Sequence, residues 1–158
     1  MESGSKAQWH IGCNNGRRQF ALGTAVGESF KILVTDRNRR VRELLRRELA
    51  TEGYQVVVAR DSLEVLTMIA GDEPPHLLLL DPEIPNFSEP QILEQLQKLY
   101  PRLPVIIHTF LLDDFNHWKV LNSVVLLEKK EDIDLLKQVV AQVIDRNYPP
   151  RLVLGRDT

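Results

Sequence analysis

The chain has 158 residues, a formal net charge of −2, 43% apolar and 27% charged residues, which is one domain's worth of ordinary globular composition, with enough chain for one sizeable core. The near-neutral balance argues against direct nucleic-acid binding, and the single cysteine, Cys13, excludes both a disulfide framework and a cysteine metal site within one chain. No stretch has the apolar character of a signal peptide or a membrane span, so the expected setting is reducing and cytoplasmic, without membrane contact.

Residues 1–29 carry Gly, Ser, Asn and scattered charges with no sustained period, and are expected to be a flexible tail in which Trp9 and Phe20 are isolated aromatics. Gly23 to Ser29 has the wrong glycine spacing for a phosphate loop, and no Lys precedes a Ser or Thr. The pattern becomes regular at Lys31. Ile32-Leu33-Val34 predicts a buried strand ending at Thr35-Asp36. Asn38 then caps a helix with Val41, Leu44, Leu45 and Leu49 inward, closed by Gly53 in the C′ role. Val56-Val57-Val58 is a second strand, and Asp61 or Ser62 opens a helix with Val65, Leu66 and Ile69 that stops at Gly71.

Leu77 to Leu80 form an apolar run bounded by prolines, which reads as a strand buried on both faces of a parallel sheet. Ser88 and Pro90 open a third helix with Ile92, Leu93, Leu96 and Leu99 inward. Val105-Ile106-Ile107 is a fourth strand ending at His108-Thr109, and a weaker helix covers roughly Asp113 to Leu121. Val124 to Leu127 is a fifth strand ending at Glu128-Lys129. The last helix starts near Asp132, with Ile133, Leu136, Val139, Val140, Val143 and Ile144 as its stripe, and Tyr148-Pro149-Pro150 ends the domain. The expected organisation is a tail over 1–29, a folded domain over 30–146 and a short tail over 147–158, with no effector domain attached.

Strict alternation of strand and helix with short connections implies right-handed βαβ units and one parallel sheet. Five such units suit an α/β, flavodoxin-like doubly wound fold with strand order 2-1-3-4-5, whose crevice lies beside the first and third strands at their carboxyl ends. Asp81 closes the third strand at that edge. An aspartate there is a nucleophile, a metal ligand or a brace for the next loop. The other strands decide between these, because they bring Asp36, Thr109 and Lys129 to the same edge. Two carboxylates suit Mg²⁺, which takes one or two protein carboxylates, waters and a phosphate oxygen. A carboxylate also attacks phosphorus to give an aspartyl phosphate, whose oxygens a hydroxyl and an ammonium then hold. A buried Asp facing another Asp is costly without a cation or a proton, which favours the functional reading.

At Val34-Thr35-Asp36, Asp81-Pro82-Glu83-Ile84-Pro85, Val105-Ile106-Ile107-His108-Thr109 and Leu127-Glu128-Lys129-Lys130, the chain resembles the receiver domain of two-component response regulators, over roughly 31–146. The resemblance implies a signalling phosphoacceptor rather than an enzyme. Asp81 takes the phosphoryl group from a histidine kinase or phosphotransfer protein, Thr109 and Lys129 contact it, and Asp36, Asp81 and the backbone carbonyl of Glu83 hold Mg²⁺. An output protein of unknown identity is then bound in trans.

Four positions depart from the family pattern. Thr35 stands at the first position of the acidic pair, Lys130 replaces the proline after the lysine, Phe110 follows Thr109 where a small residue is usual, and Leu126 replaces a switch aromatic. A trans Lys129–Lys130 bond is expected, because a non-proline cis bond costs about 2.5–4 kcal/mol. The short interval from Thr109 to Lys129 predicts a shortened or irregular fourth helix. The alternative function is a pseudo-receiver, an interaction module that does not use phosphate. A flavin protein of similar fold is disfavoured, because Thr35-Asp36-Arg37-Asn38-Arg39 has no glycine and carries an acid.

Arg37, Arg39, Arg40, Arg42, Arg46 and Arg47 crowd the first helix; a solvated face is the plainer reading, and docking of an acidic partner the sharper one. His10, His76, His108 and His117 lack ligand spacing, and His108 reads as a strand residue.

Overall fold

The computed structural model describes residues 29–120, 124–130 and 132–149. The expectations for residues 1–28 and 150–158, with Trp9 and Phe20, lie outside the described residues. The elements run β1 (Lys31–Thr35), α1 (Arg39–Ala50), β2 (Gln55–Ala59), α2 (Ser62–Ile69), β3 (Leu77–Leu80), α3 (Glu89–Leu99), β4 (Val105–Thr109), a 3-10 segment (Leu112–Val120), β5 (Val124–Glu128) and α4 (Ile133–Asn147). All strand pairs are parallel, in the order β2-β1-β3-β4-β5. The doubly wound fold expected from the sequence is the one found.

Side-chain alternation along the strands sorts the core into two layers. Ile32, Val34, Leu77, Leu79 and Ile106 face α1 and α4, packing on Leu45, Leu49, Leu136, Val140 and Ile144. Leu33, Leu78, Leu80, Val105 and Ile107 face the other way, against Val65, Ile69, Ile92, Leu96 and Trp118. The continuous apolar run of β3 follows from this, since all four of its residues are buried.

Helix starts follow the sequence signals. The Asn38 side chain accepts from the Arg40 and Val41 N–H groups, Asp61 from Glu64 and Asp132 from Leu135. Ser88 caps α3 without a side-chain hydrogen bond, and Pro90 lies in its first turn. At the end of α1, Gly53 takes the left-handed conformation (φ 97°), but two residues beyond the cap Thr51 rather than directly after the helix. α2 ends at Ile69 with Ala70 as its cap, so Gly71 follows directly in the C′ position, where the sequence places the stop. α4 runs through Asn147, and the Tyr148 hydroxyl donates to the His76 carbonyl at 2.7 Å, tying the end of α4 to the residue before β3.

Two inward assignments are corrected. Leu44 is 39% exposed and Leu99 is 45% exposed, because each lies at the margin of its helix's apolar stripe, beyond the reach of the sheet. The weak fourth helix is a 3-10 segment broken at Phe115 (φ −122°, ψ 16°). Its anchor is Trp118, fully buried, whose indole N–H donates to Glu89 Oε2 at 2.6 Å. His117 contacts the same carboxylate. Sequence reading did not single out Trp118, because the apolar residues of an irregular segment follow no period.

Candidate functional site

Parallel strands place all five carboxyl ends along one edge, and the register decides which residues meet there. Val34 pairs with Leu79, so two residues further on Asp36 stands beside Asp81 at the switch point between β1 and β3. β5 pairs Glu128 with Thr109, and the Lys129 N–H donates to the Thr109 carbonyl at 2.9 Å, which aims the next side chain over the same edge.

Asp36 and Asp81 are 1% and 0% exposed. Lys129 Nζ lies 2.8 Å from Asp36 Oδ2 and 3.0 Å from Asp81 Oδ2, so one ammonium bridges both carboxylates. The rest of each carboxylate is held by backbone. The Asn38 N–H donates to Asp36 Oδ1 at 2.8 Å, Arg37 N–H to Asp81 Oδ2 at 3.1 Å and Glu83 N–H to Asp81 Oδ1 at 2.9 Å. Buried carboxylates in such a network keep their positions without support from water.

Thr35 is buried, and its hydroxyl accepts the Asp81 N–H at 2.8 Å. The residue that departs from the acidic pair therefore fixes the backbone that presents Asp81. Thr109 is also buried at this edge, but its hydroxyl accepts the Leu111 N–H at 3.0 Å. No hydrogen bond joins it to Asp81 among the described residues. Phe110 is 62% exposed and lies against Lys129, with Nζ 5.6 Å from the ring centroid. Leu126 is half-buried against the layer that contains Trp118. The Lys129–Lys130 peptide is trans, as the sequence predicts.

Two further residues belong to the site. The Arg37 guanidinium pairs with Glu83 at 2.9 Å, and the backbone N–H groups of both residues donate to the Asp81 carboxylate. The arginine run hid this residue, because its neighbours on α1 look alike in sequence and face solvent. His108 is 7% exposed with Nδ1 unpartnered. Burial first, then the positive charge of Lys129, pushes its pKa down to about 4, against a weaker upward pull from Asp36 and Asp81. It is a neutral wall of the site at pH 7. The remaining α1 arginines do not enter the site, except that Arg42 donates to the Asp36 carbonyl at 2.8 Å.

A divalent cation fits this donor set. Asp36 Oδ2 is buried, and its partner is the Lys129 ammonium, the same cation that Asp81 Oδ2 holds. The described residues hold no group of three or more acidic, histidine or cysteine side chains suited to a metal. Two carboxylates with backbone oxygen and water is the pattern of Mg²⁺ rather than of a caged transition metal.

Two buried acids bridged by a lysine thus lie at the switch point of a 2-1-3-4-5 sheet. Residues 32–141 match the family model for the response regulator receiver domain, and the chain belongs to that family. It is a receiver domain of the two-component type, a class phosphorylated by histidine kinases or phosphotransfer proteins. Among curated proteins it is 42% identical to the response regulator MprA of Mycobacterium bovis over 81 residues, which is 51% of this chain and 35% of MprA. The chain thus spans about a third of the length of that relative.

Among solved structures, a signal receiver domain from Vibrio parahaemolyticus superposes with a TM-score of 0.70 at 22% identity, covering 81% of this chain and 99% of that one. The response regulator TrrA from Thermotoga maritima, in complex with Mg²⁺-BeF, gives 0.59 at 27% identity, covering 72% and 98%. No helix among the described residues is long and apolar enough to cross a membrane.

Proposed function

We propose that this chain accepts a phosphoryl group on Asp81 from a histidine kinase or phosphotransfer protein and signals to a partner protein in trans. The observation that carries the reading is the pair of buried carboxylates at the switch point, held from three backbone N–H groups and bridged by Lys129. A carboxylate oxygen of Asp81 attacks phosphorus and forms a new O–P bond. The donor's P–N bond breaks, its electron pair stays on the imidazole nitrogen, and that nitrogen takes up the proton. Asp36, Asp81 and the backbone carbonyl of Glu83 would hold Mg²⁺, which when bound neutralises charge that develops on the transferring group.

Lys129 supplies a fixed positive charge to the phosphoryl oxygens without leaving the site, and the Arg37 and Glu83 N–H groups hold the acceptor carboxylate in orientation. Thr109, whose hydroxyl accepts the Leu111 N–H, keeps its own O–H to donate to a phosphoryl oxygen. A second reading is a pseudo-receiver that binds its partner without phosphate, favoured by the lack of any hydrogen bond between Thr109 and Asp81 among the described residues.

Intact mass after incubation with acetyl phosphate, with and without Mg²⁺, separates the two. A Mg²⁺-dependent phosphate adduct that Asp81→Asn abolishes is the expected result. No adduct under conditions that label a typical receiver overturns the phosphoacceptor reading in favour of the pseudo-receiver.

A further inference from the structure

Arg37 occupies an unusual place for an exposed arginine. Its own N–H donates to Asp81 Oδ2 at 3.1 Å, so its side chain starts beside the acceptor carboxylate. The backbone there is pinned: Asn38 N–H donates to Asp36 Oδ1, and the Arg42 guanidinium reaches the carbonyls of Asp36 and Arg37 at 2.8 and 3.4 Å. The side chain is less constrained. Its one ion pair among the described residues is with Glu83 at 2.9 Å, where the two side chains are 58% and 32% exposed, and pairs of that kind hold weakly.

Glu83 is rooted on the opposite side of the acceptor, its N–H on Asp81 Oδ1 at 2.9 Å. The site therefore carries three carboxylates, Asp36, Asp81 and Glu83, against two cations, Lys129 and Arg37. Placing a phosphoryl group on Asp81 adds further negative charge at the point both backbones flank. Lys129 is already divided between two carboxylates, and Glu83 repels the newcomer. A guanidinium fork fits phosphoryl oxygens bidentately, where an ammonium is a point charge.

We propose that Arg37 is a phosphoryl contact of this site, held by Glu83 in the free state and transferred to the phosphoryl oxygens when Asp81 is modified. The proposal rests on Asp81 being the phosphoacceptor. It gives Glu83 a side-chain role opposed to that of its backbone: the N–H orients Asp81, while the carboxylate competes for Arg37.

The test is the affinity for beryllofluoride, a phosphoryl mimic, titrated in the presence of Mg²⁺ and followed by ¹⁹F NMR. Arg37→Ala should weaken binding by about tenfold, the loss of one charge-assisted contact, and Arg37→Lys should fall between it and the wild type. Glu83→Gln should tighten binding, because it frees Arg37 and removes a repelling charge. A gain of this kind cannot come from a damaged fold. If wild-type protein binds beryllofluoride and Arg37→Ala binds it equally well, Arg37 is not a contact. If Arg37→Ala and Glu83→Gln weaken binding to the same extent, the pair is structural and the proposal fails. If the wild type does not bind the mimic at all, the phosphoacceptor reading fails, and this one with it.

Discussion

Lys129→Met removes the only side-chain cation within ion-pair distance of both buried acids among the described residues. Asp36 Oδ2 and Asp81 Oδ2 both lie within 3.0 Å of one nitrogen, so they are at most about 6 Å apart. At an effective dielectric of about 20, two unit charges at that separation repel by about 3 kcal/mol. This agrees with the roughly 3–5 kcal/mol lost when one member of a buried ionic network is deleted. Methionine keeps the apolar stem of the lysine, so little of the loss comes from packing.

Urea unfolding followed by circular dichroism measures the change directly. With a slope of about 2 kcal/mol per molar for a domain of this size, the midpoint should fall by about 1.5 M. Two further arms tie the number to its cause. In an Asp36→Asn background the same Lys129→Met change should cost much less, since only one buried charge remains, and the difference between the two is the coupling energy. Millimolar Mg²⁺ should raise the midpoint of Lys129→Met more than that of the wild type, because the ion takes the position the ammonium left. A loss below about 1 kcal/mol, or one unchanged by Asp36→Asn, would refute the view that Lys129 offsets two buried charges.

Thr35→Val is nearly isosteric and removes the acceptor of the Asp81 N–H, a bond of 2.8 Å. It should cost about 1–3 kcal/mol in unfolding free energy, the penalty of an unpaired buried donor, whereas Thr35→Ser should cost less; equal losses would show that packing, not the hydroxyl, matters. His108 has a folded pKa of about 4 against an ordinary value of 6.5. The unfolded chain therefore binds the proton more readily, so stability is complete above about pH 6.5, is lost as the pH falls, and levels off below about pH 4. His108→Asn should flatten part of the pH dependence of the unfolding midpoint over that window, and an unchanged profile would assign the acid sensitivity to other groups.

The fold was legible because each local signal agreed with the next. Buried strands, caps at Asn38, Asp61 and Asp132, and the turn glycine at Gly53 all specify the same alternation. Periodicity fails where its assumption fails. Leu44 and Leu99 fit a 3.6-residue stripe, yet a sheet covers only the centre of that stripe. The segment after β4 has no stripe to read, since its one buried anchor, Trp118, is held by Glu89 from a different helix.

The site divides along a similar line. Asp36, Asp81 and Lys129 were legible because each directly follows a strand of the parallel sheet, and strand ends there converge by topology alone. Where the side chains go after that is decided by competition, which a sequence does not display. Thr109 reaches the right edge, where its hydroxyl accepts the Leu111 N–H and makes no hydrogen bond to Asp81 among the described residues. Thr35 reads as a missing acid and turns out to hold the Asp81 backbone. Arg37 reads as one more arginine of a solvated face, yet its N–H donates to Asp81 Oδ2. A receiver site is thus specified twice: once by the strands that gather its charges, and again by the loop groups that decide which charges remain free to meet a phosphoryl group. The first follows from the strand order and register that bring Asp36, Asp81 and Lys129 to one edge, and the second is carried here by Thr35, Arg37 and Glu83.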